Sequence, residues 1–236
     1  MKLSIIIPVY NEESTIKTLL NRIALVDLPI EKEIIIVDDG STDNTRSILK
    51  RINRPGIKIY YHETNMGKGA AVRTGLRAAS GDIVLIQDGD LEYDPMDYHE
   101  LIKPIINKRA RVVYGSRVLG RAPISYHRYY WGGRFLSFLA NTLYGIKITD
   151  EPTCYKVMDA TLIKGLDLRC RRFEFCAEVT AKLGRMGEDI VEVPISYTPR
   201  SIRDGKKIRW YDGLIAILIL IRYRFWNPAN EKAKSD

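Results

Sequence analysis

Apolar residues fall along the chain in short unbroken runs that stop in polar turns. Leu3 to Val9 contains three consecutive Ile and predicts a central strand buried on both faces, with Pro8 near its end. Glu33 to Val37, Ile57 to Tyr61 and Ile83 to Ile86 read the same way. Between these runs the spacing changes to that of helices: Ile16, Leu19, Leu20 and Ile23; Ile48, Leu49 and Ile52; Ala71, Val72, Leu76 and Ala79. Asn11 is placed to cap the first of these helices, and Asp43 the second. Strand and helix thus alternate four times in about ninety residues, the pattern of a parallel sheet covered by helices on both faces.

The second half is less regular. Pro95 to Ile106 predicts a helix, and Val112 to Arg117 a strand ending in Gly-Ser-Arg. Phe135, Leu136, Phe138, Leu139 and Leu143 form one helical apolar face, preceded by the basic and aromatic run Tyr126 to Trp131. Thr149 to Val157 joins a turn to a strand, Phe173 to Met186 predicts a helix, and Asp189 to Tyr197 a last strand. Five cations follow in Pro199 to Arg209. The tail, Trp210 to Trp226, has a short apolar centre flanked by Trp, Tyr, Phe and Arg, which suits either an interfacial membrane helix or an ordinary packed one.

Composition changes the picture in two ways. At 236 residues, with 45% hydrophobic and 28% charged residues, the chain can bury a sizeable core. Its net charge of +8 calls for an anionic partner: nucleic acid, a phospholipid surface or a phosphorylated substrate. Cys154, Cys170 and Cys176 show neither zinc spacing nor a disulfide framework, which fits free thiols in a reducing cytosol. The N-terminal run is too short for a signal peptide, and no stretch reaches the roughly 20 apolar residues of a membrane span.

The candidate chemistry gathers where strands end in acids. Ile83 to Ile86 runs into Gln87-Asp-Gly-Asp-Leu-Glu-Tyr-Asp94. In open α/β sheets ligands bind outside the carboxyl ends of strands. Asp88 and Asp90, one Gly apart, can turn toward one point, and their oxygens suit Mg²⁺ or Mn²⁺ beside substrate phosphates. The alternative is an exposed polar loop. Asp38 and Asp39 end the second strand on the same edge, where Asp39 is placed for a base or ribose hydroxyls. The Gly67-Lys68-Gly69 loop matches neither a P-loop nor a dinucleotide fingerprint, but Lys68 at a helix start can meet a phosphate.

Taken together, Ile-Ile-Pro-Val-Tyr-Asn-Glu12, Ile-Val-Asp-Asp-Gly-Ser-Thr-Asp43, Asn-Met-Gly-Lys-Gly69 and Gln-Asp-Gly-Asp-Leu-Glu92 resemble the family 2 glycosyltransferases of GT-A fold. Gly115-Ser-Arg117, Thr149-Asp150, Thr-Cys-Tyr-Lys156, Glu-Val-Pro-Ile-Ser-Tyr197 and Gly-Lys-Lys-Ile208 are similar to the branch of dolichyl-phosphate mannose synthase and polyprenyl-phosphate glucosyltransferases. The resemblance implies a Rossmann-like, mostly parallel α/β sheet in one domain over residues 1–209. Its nucleotide half would run to about 117 and its acceptor half over 118–209, with 210–236 as an amphipathic helix and tail. It implies a nucleotide-sugar donor contacted by Pro8, Tyr10, Glu12, Asp39, Lys68 and Asp88. Asp88, Asp90 and Glu92 would hold Mg²⁺ or Mn²⁺, and Arg117, Arg128, Arg200 and Lys206 would meet phosphate groups. Cys154 and Tyr155 depart from the Gly-Phe pair of many relatives.

The implied reaction is an inverting displacement at the anomeric carbon. A polyprenyl phosphate acceptor, already anionic near neutral pH, needs positioning. A sugar hydroxyl of a growing surface polysaccharide needs a general base, for which Asp150 is the candidate; a turn or cap carboxylate is the other reading of that residue. The implied setting is the inner face of a membrane, as a peripheral protein, alone or with a membrane-protein partner or a second copy. A non-catalytic binder of anions, nucleic acid included, is the competing class, set against the acids clustered where a cation is needed.

Overall fold

The computed structural model describes residues 1–123, 126–200 and 210–227. The strands are β1 (Lys2–Val9), β2 (Glu31–Asp38), β3 (Ile57–Tyr61), β4 (Ile83–Ile86), β5 (Val112–Ser116), β6 (Lys156–Asp159) and β7 (Ile190–Pro194). They form one sheet in the order β3-β2-β1-β4-β6-β5-β7. β1 pairs in parallel with β2 and β4, placing Ile6 opposite Ile35 and Ile86. β6 is antiparallel to both β4 and β5, so it is the one reversed strand. The expected mostly parallel sheet is therefore observed.

Position in the sheet explains the hydropathy of each strand. β1 and β4 are central; seven of the eight residues of β1 and all of β4 are buried. β3 and β7 are the edges and alternate between half-buried and exposed residues. Helices α1 (Ile16–Leu25), α2 (Thr45–Lys50), α3 (Lys68–Ala78), α4 (Tyr98–Ile106), α5 (His127–Tyr144), α6 (Ala160–Gly165), α7 (Phe175–Met186) and α8 (Trp210–Tyr223) flank the sheet. α3 approaches β1 closely: a Cβ on Gly75 would stand 2.4 Å from Ile6 Cγ2. That contact sets the start of α3 beside the carboxyl ends of β1 and β4.

Local caps differ from the sequence reading at one place and agree at others. Asn11 does not cap α1. It takes a left-handed backbone conformation (φ 50°), and its Oδ1 accepts from Thr42 N at 2.8 Å, tying two strand-end loops together. Its short polar side chain is what makes that conformation affordable. Asp43 Oδ1 accepts from Thr45 N in the first turn of α2, and Asp94 Oδ1 from Met96 N in a 3₁₀ turn over Pro95–Asp97. α5 extends back to His127, over much of the aromatic run. α8 buries Ala216, Leu220 and Tyr223 against the core and exposes Trp210, Leu214, Leu218 and Ile221, with Phe225 exposed just beyond its end.

The end of the sheet away from the acids is fastened by one carboxylate. Glu33 Oε1 accepts from Ser4 Oγ (2.6 Å) and Ser80 N (2.7 Å), and Oε2 lies 3.0 Å from Lys58 Nζ and 3.2 Å from Lys2 Nζ. Burial works to raise its acidity range, but the bonds from Ser4, Ser80 and Lys58 outweigh it and hold the carboxyl far below the usual value. Because the native value is depressed, its stabilisation is present above the unfolded value of about 4.3 and is lost as pH falls. Glu33→Gln is expected to cost about 2 kcal/mol in urea unfolding at pH 7. The difference from wild type should begin to shrink below about pH 4; a gap that stays constant to pH 3 contradicts the assignment.

Candidate active site

The sheet order reverses direction between β1 and β4, and the acids lie at the carboxyl ends of these two strands. Below them the chain is rigid. Gln87 is fully buried, and its Oε1 accepts from both Tyr98 Oη and Tyr155 Oη at 2.7 Å. Its Nε2 donates to Asp88 O at 3.0 Å, so three buried side chains fix the point where β4 becomes the acidic loop. Thr15 Oγ1 reaches Glu12 Oε2 at 2.7 Å and Gly89 O at 3.0 Å, joining that loop to the end of β1. A Cβ on Gly89 would lie 3.3 Å from Pro8 O, a measure of how closely the two strand ends approach.

Two cations answer the acids. Lys68, the first residue of α3, places Nζ 2.5 Å from Asp88 Oδ1. Arg200 places Nη2 2.8 Å from Asp90 Oδ2 and Nη1 3.2 Å from Glu12 Oε2. Its backbone N donates to Glu92 Oε1 at 2.7 Å, while its Nε is buried with no acceptor among the described residues. Burial would depress Lys68, but Asp88 outweighs it and holds the ammonium well above its usual range. Burial would likewise raise Asp88, which Lys68 instead holds low. Asp90 goes the other way: burial and the neighbouring Asp88 charge push it up to about 7, against the pull of Arg200.

A second charged cluster adjoins the first. Arg117 grips Asp150 with Nε to Oδ2 at 2.8 Å and Nη2 to Oδ1 at 2.7 Å, and its backbone N adds a third bond at 2.9 Å. Burial favours a neutral Asp150, but Arg117 prevails and keeps it below the usual carboxylate range. The Arg117 guanidinium also lies 5.1 Å from the centre of the Tyr197 ring. Tyr197 Oη donates to Glu92 Oε2 at 2.9 Å, and its ring meets Tyr93 edge-on at 5.2 Å. Tyr197 thus bridges the two clusters.

Several residues singled out in the sequence stand differently here. Asp39 is 3% exposed, and its oxygens accept from Met66 N (2.9 Å) and Gly67 N (2.7 Å) and lie 2.7 Å from His62 Nδ1. It holds the Gly-rich loop in place. Glu92 turns both oxygens to the 197–200 segment, through Tyr197 Oη and Arg200 N. Arg128 is exposed and packs with Tyr126 and Tyr129. Pro8 is buried and Tyr10 half-buried at the end of β1. Lys206 lies outside the described residues. Thr15, Gln87, Tyr93, Tyr98 and Tyr197 were not singled out. Tyr93 and Tyr197 lie within quoted motifs, whereas nothing in the spacing marks Thr15.

The sequence profile of Glycosyl transferase family 2 matches residues 4–166. The chain belongs to this family. Among curated relatives of this family 2 chain is the UDP-N-acetylglucosamine–dolichyl-phosphate N-acetylglucosaminyltransferase of Methanococcus voltae, 33% identical over 232 residues, with 86% of this chain and 89% of the relative covered. The undecaprenyl-phosphate mannosyltransferase of Micrococcus luteus is 27% identical, with 87% of each chain covered. Among solved structures, glucosyl-3-phosphoglycerate synthase of Mycobacterium tuberculosis with UDP superposes with a TM-score of 0.72 at 21% identity. That match covers 94% of this chain and 80% of the synthase. The same synthase has been solved with UDP and Mn²⁺ or Mg²⁺. The GT-A fold expected from the motifs is thereby observed.

Because Asp150 is buried, removing its partner should leave an uncompensated charge. Arg117→Ala is expected to cost about 3 kcal/mol in urea unfolding, and Arg117→Met with Asp150→Leu to recover most of it. Additive losses in the double variant would contradict the coupling.

Proposed function

We propose that this family 2 glycosyltransferase moves a sugar from a UDP- or GDP-sugar to a polyprenyl phosphate, with inversion, at a membrane surface. The observation that carries the reading is the buried acidic end of β4, faced by Lys68 and Arg200, beside the reversal in strand order. The polyprenyl-phosphate names of the Methanococcus and Micrococcus relatives support the acceptor class.

The donor set fits a divalent cation. Asp88 and Asp90 supply oxygen ligands, and with Glu12 they set three carboxylates against two cations, Lys68 and Arg200. Among the described residues no three His, Cys, Asp or Glu side chains form a ready cage, which fits an ion whose shell is completed by substrate phosphates. We assign only Asp88 and Asp90 as its protein ligands, since Glu92 is engaged by Tyr197 and Arg200. Mg²⁺ or Mn²⁺ bound there would supply Lewis-acid stabilisation of the diphosphate leaving group.

The chain's own residues do the rest. Lys68 and Arg200 orient phosphate oxygens, and the buried Arg200 Nε is a donor suited to one of them. Pro8, Tyr10 and Glu12 line the approach of the nucleoside, and Asp39 shapes that wall by fixing Met66 and Gly67. Arg117, paired with Asp150 and 5.1 Å from the centre of the Tyr197 ring, shapes the acceptor side. The state of Asp150 separates the two acceptor classes. A carboxylate held low by an arginine fork is a weak base, so the site favours an acceptor that arrives as an anion over a sugar hydroxyl.

No helix among the described residues is long and apolar enough to cross a membrane. Exposed Trp210, Leu214, Leu218 and Ile221 on α8, with Phe225 just beyond it, support peripheral contact with the lipid carrier's membrane. The test is transfer from a panel of UDP- and GDP-sugars to a short polyprenyl phosphate, with Mg²⁺, Mn²⁺ or chelator. Transfer is expected only with metal, and Asp90→Ala should reduce it by at least about 100-fold. Metal-independent transfer, or full activity in Asp90→Ala, overturns the metal assignment. Faster transfer to a glycan than to the lipid phosphate overturns the acceptor.

A further inference from the structure

Residues 166–172, between α6 and α7, have almost no secondary structure, yet their backbone is held throughout by side chains from elsewhere. Fully buried Lys182 donates to Leu166 O at 2.8 Å and Asp167 O at 2.7 Å. Arg73 of α3 donates to Leu168 O at 3.1 Å and Arg169 O at 3.3 Å. Fully buried Glu178 of α7 accepts from Arg169 N at 2.9 Å and from Cys170 N at 2.7 Å. Glu174 Oε1 accepts from Arg171 N and Arg172 N at 3.2 Å.

This segment is the seat of the Gly-rich turn. Ala70 N donates to Arg171 O at 2.9 Å. A Cβ on Gly67 would stand 2.4 Å from Arg171 O, and one on Gly69 2.5 Å from Cys170 O. Lys68 lies between these two glycines and reaches Asp88. Glu178 has one more partner: Tyr223 of α8 donates to its Oε1 at 2.8 Å. Lys182 completes the group, 3.1 Å from Glu178 and facing the rings of Tyr223 and Trp226 at 5.0 and 5.1 Å.

We propose that Glu178 is a positioning residue for the donor site. It fixes the 169–171 backbone on which the Gly67–Gly69 turn rests, so Lys68 meets Asp88 at a set distance, and through Tyr223 it makes the seating of α8 part of that geometry. The inference rests on the reading of Lys68 and Asp88 as donor-site residues. It assigns Glu178 a duty that burial alone does not require, since a buried carboxylate could be satisfied by Lys182 without touching two amides of this one loop.

The test uses the full chain and two measurements: hydrogen exchange at the Ala70 amide without ligand, and calorimetric titration with Mn²⁺ and whichever of UDP or GDP the wild type binds. Glu178→Gln loses the charge and one acceptor oxygen. It is expected to speed Ala70 exchange and weaken nucleotide binding, each by about tenfold. Tyr223→Phe, which deletes one hydroxyl, should move both in the same direction by a smaller factor, and it decides the matter if Glu178→Gln does not fold. Glu33→Gln, at the far end of the sheet, lowers stability and should move neither. Wild-type Ala70 exchange and affinity in a destabilised Glu178→Gln overturn the proposal, as do equal shifts in Glu33→Gln. A wild type that binds neither nucleotide sinks the functional reading instead, and the exchange rates still decide this one.

Discussion

Burying carboxylates at the end of a central strand is the constraint that shapes this molecule. β4 is apolar on both faces because it lies inside the sheet, and it leaves the sheet straight into Asp88 and Asp90. Two such groups close together and out of water cannot both ionise freely. The structure answers with cations drawn from far along the chain: Lys68 from the start of α3, and Arg200 from beyond β7. Burial first and the neighbouring Asp88 charge second raise Asp90, and our proposal places a metal ion and a diphosphate beside that pair.

The neighbouring acids are satisfied inside the protein, which divides the labour. Asp150 is matched by Arg117, Glu92 by Tyr197 and the Arg200 amide, and Asp39 by the 66–67 amides and His62. These groups hold walls in place. Asp88 and Asp90 instead face cations, Lys68 and Arg200, for which we propose that donor phosphates compete. The site is therefore a small reactive pair inside a larger, internally neutralised scaffold.

Much of this was legible in the sequence. Apolar runs at Leu3 to Val9 and Ile83 to Ile86 marked the central strands, because burial on both faces leaves room for a polar side chain only where it finds a partner, as Ser4 does in Glu33. The acids at their ends marked the ligand edge. What the sequence could not show is direction and distance. Periodicity is the same for parallel and antiparallel strands, so the reversal of β6 was invisible. The helical reach of α5 back to His127 was hidden because His127, Arg128 and Trp131 are exposed there and leave no apolar stripe. Asp39 and Glu92 look like ligands by position, and only coordinates show that protein amides and hydroxyls already claim them. Thr15 carries no signal, and Gln87 is marked only by its motif, since the partners of both are fixed by the fold.

The account's central claim is that Asp88 and Asp90 form one half of a metal–diphosphate clamp. The most direct measurement is calorimetric titration of UDP and GDP into the wild type and Asp90→Asn, each with and without Mn²⁺. The account predicts that Mn²⁺ tightens binding of one nucleotide to the wild type by at least about tenfold and that Asp90→Asn abolishes this gain. Equal affinity with and without Mn²⁺ in the wild type, or an undiminished gain in Asp90→Asn, would contradict it.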